Sequence, residues 1–170
     1  MRRVLPALLP LLAACIVPQD IEEMEPPREG NDPPRIVQRV PAETTVVTQR
    51  ASPCAVEFSV VVQDFDREDA LEVRWFVDYG PDDTVPDAVV ELPPAPELTN
   101  GLRNPASVSY RFEPRLHVTG GGGYVVVEAV VSDGFDPAPG ATPENRAVRP
   151  GRDVDVTSWK VVITEEECRQ

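Results

Sequence analysis

Apolar and polar residues alternate with a period of two through most of the chain after residue 35. In residues 71–78, LEVRWFVD, every second residue from Leu71 to Val77 is apolar, and Glu72 and Arg74 lie between them. Because successive side chains of a strand point to opposite faces, this pattern predicts half-buried strands. The same alternation recurs at residues 54–63, 107–112, 124–132 and 153–164, with a shorter candidate at 88–92. No stretch has a sustained period of 3.6 residues, so the sequence predicts an all-β protein with almost no helix.

Two further stretches need more than simple alternation. Residues 35–40 (RIVQRV) and 44–48 (TTVVT) predict one or two edge strands, which Pro41 separates. In residues 153–164 the apolar positions change from even-numbered to odd-numbered residues near Ser158. An extra residue in a strand would produce this change, so we predict a β-bulge near Ser158.

The first 15 residues have a composition of their own. Arg2 and Arg3 precede the apolar run from Val4 to Ala14, which is shorter than the roughly 20 residues needed to cross a hydrocarbon core. A positive start, a short apolar run and small residues before a cut site are typical of a secretory signal peptide. The residues LAAC at 12–15 resemble the lipobox of bacterial lipoproteins. An ordinary signal peptide with a chance cysteine is the alternative.

The lipobox resemblance implies that residues 1–14 are removed and that the Cys15 thiol carries a diacylglyceryl group. Each buried CH₂ contributes about 0.8 kcal/mol, so two or more acyl chains hold a soluble domain stably at a membrane. By analogy with enteric bacteria, Ile16 in place of aspartate favours the outer membrane over the inner one. We therefore expect a cell-envelope protein, anchored to the outer membrane through its covalent lipid and facing the periplasm or the cell surface.

Two proline-rich segments lack a hydrophobic period. Residues 15–34 contain many acids and prolines, which predicts a disordered, extended tether that could reach roughly 55–60 Å. A loosely packed N-terminal arm is the alternative. Residues 79–106 form a long excursion around the candidate strand at 88–92. Loops of this length in a compact domain are often functional or disordered.

The charge of the chain excludes one class of partner. The formal net charge is −13, and without Arg2 and Arg3 the mature chain has 14 basic and 29 acidic side chains. A surface this acidic repels phosphate backbones, so we expect no nucleic-acid partner. It also repels anionic lipid headgroups, which leaves the covalent lipid as the expected means of membrane attachment.

The cysteines fit an oxidising compartment. Of the three cysteines, one is assigned to lipid, which leaves Cys54 and Cys168 as an even pair. A disulfide between them would close a long loop and contribute about 4–5 kcal/mol in the chain-entropy model. Two free thiols are the alternative.

The order of the predicted strands, with Trp75 in the third, is typical of an immunoglobulin-like sandwich. The stretch Asp64-Phe65-Asp66 ahead of residues 71–75, and VSDG at residues 131–134, resemble the corresponding parts of PKD and cadherin-like modules. The resemblance implies a single immunoglobulin-like antiparallel β-sandwich over residues 35–168, after the tether. In that topology Cys54 and Cys168 lie at the same end, where they can meet.

The acidic turns raise the question of a metal. Hard carboxylate oxygens bind Ca²⁺, and cadherin-type sites use acidic turns such as the one after residue 63. The candidate ligands are Asp64, Asp66 and Asp69, with Asp133 and Asp136 from a turn at the same end of the sandwich. The alternative is that aspartate is simply a residue that turns favour, and no other cofactor is indicated.

Catalytic signatures are lacking in the sequence. His117 is the only histidine, and no G-x-S-x-G motif accompanies it, so we expect no enzyme. Trp159 belongs to the core or, because Ser158 and Lys160 flank it, forms an exposed stacking surface for sugar rings. The leading hypothesis is a lipid-anchored, non-catalytic binding or structural module of the envelope. The alternatives are an assembly lipoprotein that docks an envelope protein through residues 79–106, and a carbohydrate-binding module.

Overall fold

The computed structural model describes residues 31–49, 55–94, 100–103, 107–117 and 123–164. These residues form eight strands and one short helix. The strands are β1 Arg35–Val40, β2 Thr45–Gln49, β3 Val56–Gln63, β4 Leu71–Val77, β5 Ala88–Leu92, β6 Val108–Phe112, β7 Gly123–Ser132 and β8 Val154–Thr164, and the helix α1 is Pro114–His117. The predicted all-β class is confirmed, because each stretch with a period of two forms a strand within one or two residues of its predicted bounds.

The strands form two sheets that pack as a sandwich. One sheet has the order β1-β3-β6, and the other has the order β2-β8-β7-β4-β5. This is an immunoglobulin-like arrangement, with the buried Trp75 in β4, the strand with which the chain passes from β3 in the first sheet to the second sheet. The prediction of a purely antiparallel sandwich needs one correction, because β2 pairs with β8 in parallel, from Thr45 opposite Lys160 to Gln49 opposite Thr164.

The parallel pair has a simple cause in the path of the chain. β1 runs antiparallel to β3 in the first sheet. Residues 41–44 then carry the chain across to the second sheet without reversing it. β2 therefore keeps the direction of β1, which is also the direction of β8.

The core lies between the inner faces of the two sheets. Its fully buried large side chains include Trp75, Trp159, Phe58, Phe112 and Leu71. Burying each such side chain contributes about 1.5–3 kcal/mol. The alternation predicted for residues 71–78 is confirmed, since β4 buries every second side chain from Leu71 to Val77.

Phe76 is also buried, although it lies on the opposite face of β4. Together with Val130 and Phe135 it forms a second, smaller apolar cluster on the outer face of the five-stranded sheet. The chain between β7 and β8 folds back over this face and covers it. The sheet is therefore covered on both sides at its centre, which a period-two pattern alone does not predict.

The predicted bulge near Ser158 is wrong. β7 and β8 pair in unbroken register from Gly123 opposite Ile163 to Ser132 opposite Val154. The apolar positions change parity because Val154 and Val156 point outward, where they are 42% and 46% exposed. The irregularity lies instead in β1, where the register with β3 shifts between Ile36 and Gln38.

The candidate functional residues lie at the two ends of the sandwich. The basal end comprises residues 31–34, the β3–β4 turn (64–70) and the start of the β7–β8 loop, where Ser132 lies opposite Glu72. The distal end comprises the β4–β5 loop (78–87), α1 and the start of β7. Within the described ranges no helix is both long and apolar enough to span a membrane.

Candidate functional site: an arginine-held acidic end

The basal end brings together four of the five aspartates that the sequence singles out. Asp64, Asp66 and Asp69 belong to the β3–β4 turn, and Asp133 follows β7 at the same end. Asp136 takes part in a separate turn, where its Oδ1 accepts a hydrogen bond of 2.9 Å from the backbone N–H of Ala138. The two acidic turns thus lie at one end, as the sandwich topology predicts.

A buried arginine holds the β3–β4 turn. Arg103 is 2% exposed, and its Nη2 donates to Asp64 Oδ2 at 2.7 Å and to the carbonyl oxygen of Asp66 at 2.6 Å. Its Nη1 donates to the carbonyl oxygen of Asp69 at 2.8 Å. One guanidinium therefore neutralises the buried carboxylate and satisfies two carbonyl groups of the turn, which orders the turn around it.

The segment that supplies Arg103 is fixed to β3 by its backbone. The N–H of Asp64 donates to the carbonyl oxygen of Gly101 at 2.7 Å, and the N–H of Arg103 donates to that of Val62 at 3.1 Å. Gly101 has φ +75°, and a Cβ there would lie 2.7 Å from Asp64 O. Only glycine fits this conformation and this close approach.

Burial and hydrogen bonding act in opposite directions on Asp64. Burial raises the pKa of its carboxyl group, and this outweighs the lowering by the Asp66 N–H and by Arg103. The Asp66 N–H donates to Asp64 Oδ1 at 2.9 Å. Both carboxylate oxygens of Asp64 are therefore occupied by donors from within the chain.

A second arginine joins the two acidic turns. Arg152 Nη1 donates to Asp69 Oδ2 at 2.6 Å, to Asp133 Oδ2 at 3.1 Å and to Asn31 Oδ1 at 3.2 Å. Hydrogen bonds to Asp133 and Asp69 raise the pKa of Arg152 above its ordinary value. Gly134 leaves room for this side chain, since a Cβ there would lie 2.8 Å from Arg152 Cγ.

These contacts bear on the predicted Ca²⁺ site. Ca²⁺ takes six to eight oxygen ligands around one point, but a guanidinium lies between Asp69 and Asp133, and another binds Asp64. In the part of the chain that the structure describes, no three His, Cys, Asp or Glu side chains converge on a metal position. The residues as arranged therefore do not fit Ca²⁺, and the Ca²⁺ site drawn from the sequence stays a hypothesis that a comparison of Ca²⁺ with EGTA tests.

The roles of Arg103 and Arg152 were not predicted from the sequence. The Asn100-Gly101 pair was the available signal, because such a pair marks a tight turn, and Asn100 and Gly101 have φ of 53° and 75°. A turn at this position returns the chain to β3 and places Arg103 beside Asp64. The single sequence does not show which acid lies next to which base.

A shallow groove of about 590 Å³ opens beside this cluster, lined in part by Phe65, Glu68, Gly151 and Arg152. The Phe65 ring is 57% exposed. The lining contains three acidic side chains and two basic ones, so charges of both signs face the groove.

Trp159 is part of the core, and the alternative of an exposed stacking surface is wrong. The side chain is fully buried, and its ring lies 6.1 Å from that of Trp75 at an interplanar angle of 18°. Its Nε1 donates to the carbonyl oxygen of Pro41 at 2.7 Å. Because β8 has no bulge, the odd-numbered position of Trp159 points inward.

His117 lies at the distal end, half-buried in α1. Its ring stacks on Phe112 with centroids 5.1 Å apart, and its Nε2 is 4.0 Å from Asp87 Oδ1. The other oxygen of Asp87 accepts a hydrogen bond of 2.8 Å from the Val77 N–H. Burial raises the pKa of the Asp87 carboxyl group. The sequence did not suggest this pair.

The centre of the outer face of the five-stranded sheet is covered by two loops that contact each other. Tyr79 Oη donates to the carbonyl oxygen of Glu144 at 2.7 Å, and Asn145 Nδ2 donates to that of Thr84 at 3.0 Å. The guanidinium carbon of Arg146 lies 4.3 Å from the centre of the Tyr79 ring. The described part of the 79–106 excursion therefore packs on the sandwich.

Cys15, Cys54 and Cys168 lie outside the described residues, so the lipid and disulfide predictions stay predictions. β3, which follows Cys54 in the sequence, begins at the distal end. β8, which precedes Cys168, ends at the distal end.

Comparison with known proteins gives little to set beside this geometry. No protein-family model matches the sequence, and no curated protein matches it. One similar solved structure is that of AggA, the major subunit of aggregative adherence fimbriae type I from Escherichia coli. It is 11% identical, with a TM-score of 0.34, over 80% of this chain and 97% of that chain. A likeness at this level carries no inference about what this chain does.

Proposed function

We propose that this protein is a lipid-anchored cell-envelope lipoprotein whose immunoglobulin-like domain is a non-catalytic binding or structural module. The observation that carries the proposal is the sequence LAAC at residues 12–15, directly after a short apolar leader with a positive start. Acylation of Cys15 would fix the mature N-terminus in the outer membrane.

The path of the chain supports a defined orientation for such a module. The described chain begins at the basal end, where Asn31 contacts Arg152 and the Asp32 N–H donates to Asp66 Oδ2. The proposed tether would join the domain at this end. The distal end would then point away from the membrane, by about 36 Å if measured along the 11 residues of β8.

The use of the polar side chains supports a non-catalytic role. At the basal end the carboxylates bind arginine or backbone N–H groups, and at the distal end Asp87 binds Val77. A general acid or base must lie within hydrogen-bond reach of the proton that it transfers. The contacts seen here stabilise turns and loops instead.

Between the two alternatives, the exposed apolar surface favours a protein partner over a glycan. Tyr124 and Val47 are 63% and 68% exposed on the outer face of the five-stranded sheet, whereas the tryptophan proposed to stack on sugars is buried. An assembly or accessory lipoprotein of an envelope complex is therefore the second candidate.

Membrane fractionation in a bacterial host tests the anchor. We expect wild-type protein in the outer-membrane fraction and Cys15→Ala protein in the soluble fraction or uncleaved. Cys168→Ala is the matched control, because it removes a thiol outside the leader and should stay in the membrane. Retention of Cys15→Ala in the membrane after cleavage of the leader would count against the proposal.

A further inference from the structure

The edges of the two sheets differ in how they are protected against pairing with another strand. Among the described strands, four lie at sheet edges: β1, β6, β2 and β5. Charges, prolines and bulges are the features that keep such edges from pairing. Three of the four edges have such features. β1 has Arg35, Arg39 and a bulge, β5 has Glu91 with Pro93 after it, and β6 has Arg111. β2, with the sequence TVVTQ, has no charge, no proline and an unbroken register with β8.

The backbone of β2 shows which groups face its open side. The N–H of Lys160 in β8 donates to the carbonyl oxygen of Thr44 at 2.8 Å. Alternate residues of a strand direct their N–H and C=O groups to opposite sides. The backbone groups of Thr45, Val47 and Gln49 therefore point away from β8, to the side on which no described strand pairs.

An apolar row continues from this edge across the outer face of the sheet. Val47 lies opposite Val162 in β8, and Val162 lies opposite Tyr124 in β7. Val47 is 68% exposed and Tyr124 is 63% exposed. The two loops that cover the centre of this face do not reach the row. Lys160 Nζ lies 4.5 Å from the centre of the Tyr124 ring, and among the described residues Val47 at the open edge stays exposed.

We propose that β2 pairs with the β2 strand of a second copy of this chain, antiparallel, with Val47 opposite Val47 of the partner subunit. This register keeps the outer faces of both sheets on one side. It also sets Thr45 opposite Gln49 of the partner subunit, so that all the outward-pointing backbone groups meet. About six backbone hydrogen bonds would join the two strands.

The chemistry of the edge favours a second copy as its occupant. β2 is uncharged and β-branched at four of its five positions, so it is complementary to itself in this register. The apolar row of one copy, from Tyr124 to Val47, then continues directly into the row of the other. Since the pairing uses the β2 edge of both copies, and β5 at the other edge of the sheet is protected, the assembly closes as a dimer.

The charge on the chain sets how this dimer responds to salt. Each mature copy has 14 basic and 29 acidic side chains, a net charge of −15, so two copies repel each other at low ionic strength, while the pairing edges themselves are neutral. Salt screens the repulsion and strengthens the dimer. A basic partner strand on the same edge would respond in the opposite way.

Sedimentation velocity of the full chain tests the proposal, in a non-ionic detergent that keeps lipidated protein dispersed. A single edge pair buries less than the roughly 1,200 Å² of a stable interface, so we expect a reversible monomer–dimer equilibrium. Raising the salt from about 50 mM to about 500 mM should strengthen it.

Two lysine variants locate the interface. Val47→Lys sets two like charges directly opposite each other and should weaken association about tenfold. Val89→Lys is the matched control, because Val89 is 50% exposed on the outer face of the other edge strand of the same sheet, and it should change association less than about twofold. Circular dichroism and thermal melting of both variants check that the domain is folded.

Several results would overturn the proposal. These are a monomer at every concentration and salt, polymers larger than a dimer, or weaker association at high salt. Equal effects of the two lysine variants would place the interface elsewhere. None of these results depends on whether Cys15 is acylated, so failure here leaves the proposed anchor standing.

Discussion

Two aspartates, one at each end of the sandwich, are buried to different extents and are neutralised in different ways. At the basal end the side chain of Asp64 is fully buried and forms an ion pair of 2.7 Å with Arg103, which is itself buried. At the distal end Asp87 is 24% exposed, and the Nε2 atom of His117 lies 4.0 Å from its Oδ1. Burial raises the pKa of both carboxyl groups. The carboxylate that water does not reach is thus paired with an arginine at hydrogen-bond distance, whereas the partly exposed one has only a more distant histidine.

The two ends should therefore respond very differently to loss of the cation. Removing one partner of a buried pair leaves an uncompensated charge and costs about 3–5 kcal/mol, whereas exposed pairs contribute about 0–1 kcal/mol.

The largest effect is expected for Arg103→Leu. This change leaves the Asp64 carboxylate and two carbonyl groups of the β3–β4 turn without their donor, and we expect a loss of about 3–5 kcal/mol in the free energy of unfolding. Urea denaturation measures it. Arg115→Ala is the control, since Arg115 is 57% exposed in its pair with Glu113. Similar losses for the two variants would show that the buried pair has no special role.

A smaller effect is expected for Gly101→Ala. The new Cβ would lie 2.7 Å from Asp64 O at a φ of +75°, so the variant suffers both a clash and backbone strain, which we expect to cost about 2–3 kcal/mol. Gly140→Ala measures the backbone strain without the clash, because Gly140 has φ +82° and a Cβ added there would have no atom within 4 Å. Its cost should be about 1 kcal/mol. An equal cost at both glycines would mean that the approach to Asp64 is not tight.

Asp87→Asn sharpens the comparison through pH. The folded-state pKa of Asp87 is raised, chiefly by burial, so its contribution to stability is fully present below the unfolded pKa of about 3.9. It is lost as the pH rises through the folded-state pKa. The wild type should therefore lose stability relative to Asp87→Asn as the pH rises from about 3 to neutral. Thermal melting of both proteins across that pH range measures the difference in stability. A difference that changes in favour of the wild type as the pH rises would contradict the prediction.

Calcium should have the smallest effect. Because arginine occupies the positions between the basal aspartates, we expect the melting temperature to be the same in Ca²⁺ and in EGTA. A rise of several degrees in Ca²⁺ that Asp69→Asn abolishes would show that Arg152 gives way to a metal.

The sequence was sufficient for the strands and much less so for what lies between them. Period two located the central strands β3, β4, β6, β7 and β8, because each of them buries side chains of one face against the other sheet. Phe76 and Val156 broke the pattern for opposite reasons. A returning loop covers the first on its outer face, and the second remains apolar and partly exposed. Neither outcome is contained in the local sequence.

The candidate site was half predictable. Strand alternation and the sandwich topology place the turns of Asp64 and Asp133 at one end. Two arginines hold these turns. Arg103 lies 34 residues and Arg152 lies 83 residues after Asp69 in the sequence. Their pairing depends on how a glycine turn and a long loop return to the sheet, which periodicity does not report.

Intact-mass analysis of the mature protein from its native host tests the central claim most directly. We expect a chain that begins at Cys15 and carries the added mass of a diacylglyceryl group on that residue. A mature chain that begins elsewhere, or that begins at Cys15 with an unmodified thiol, would contradict it.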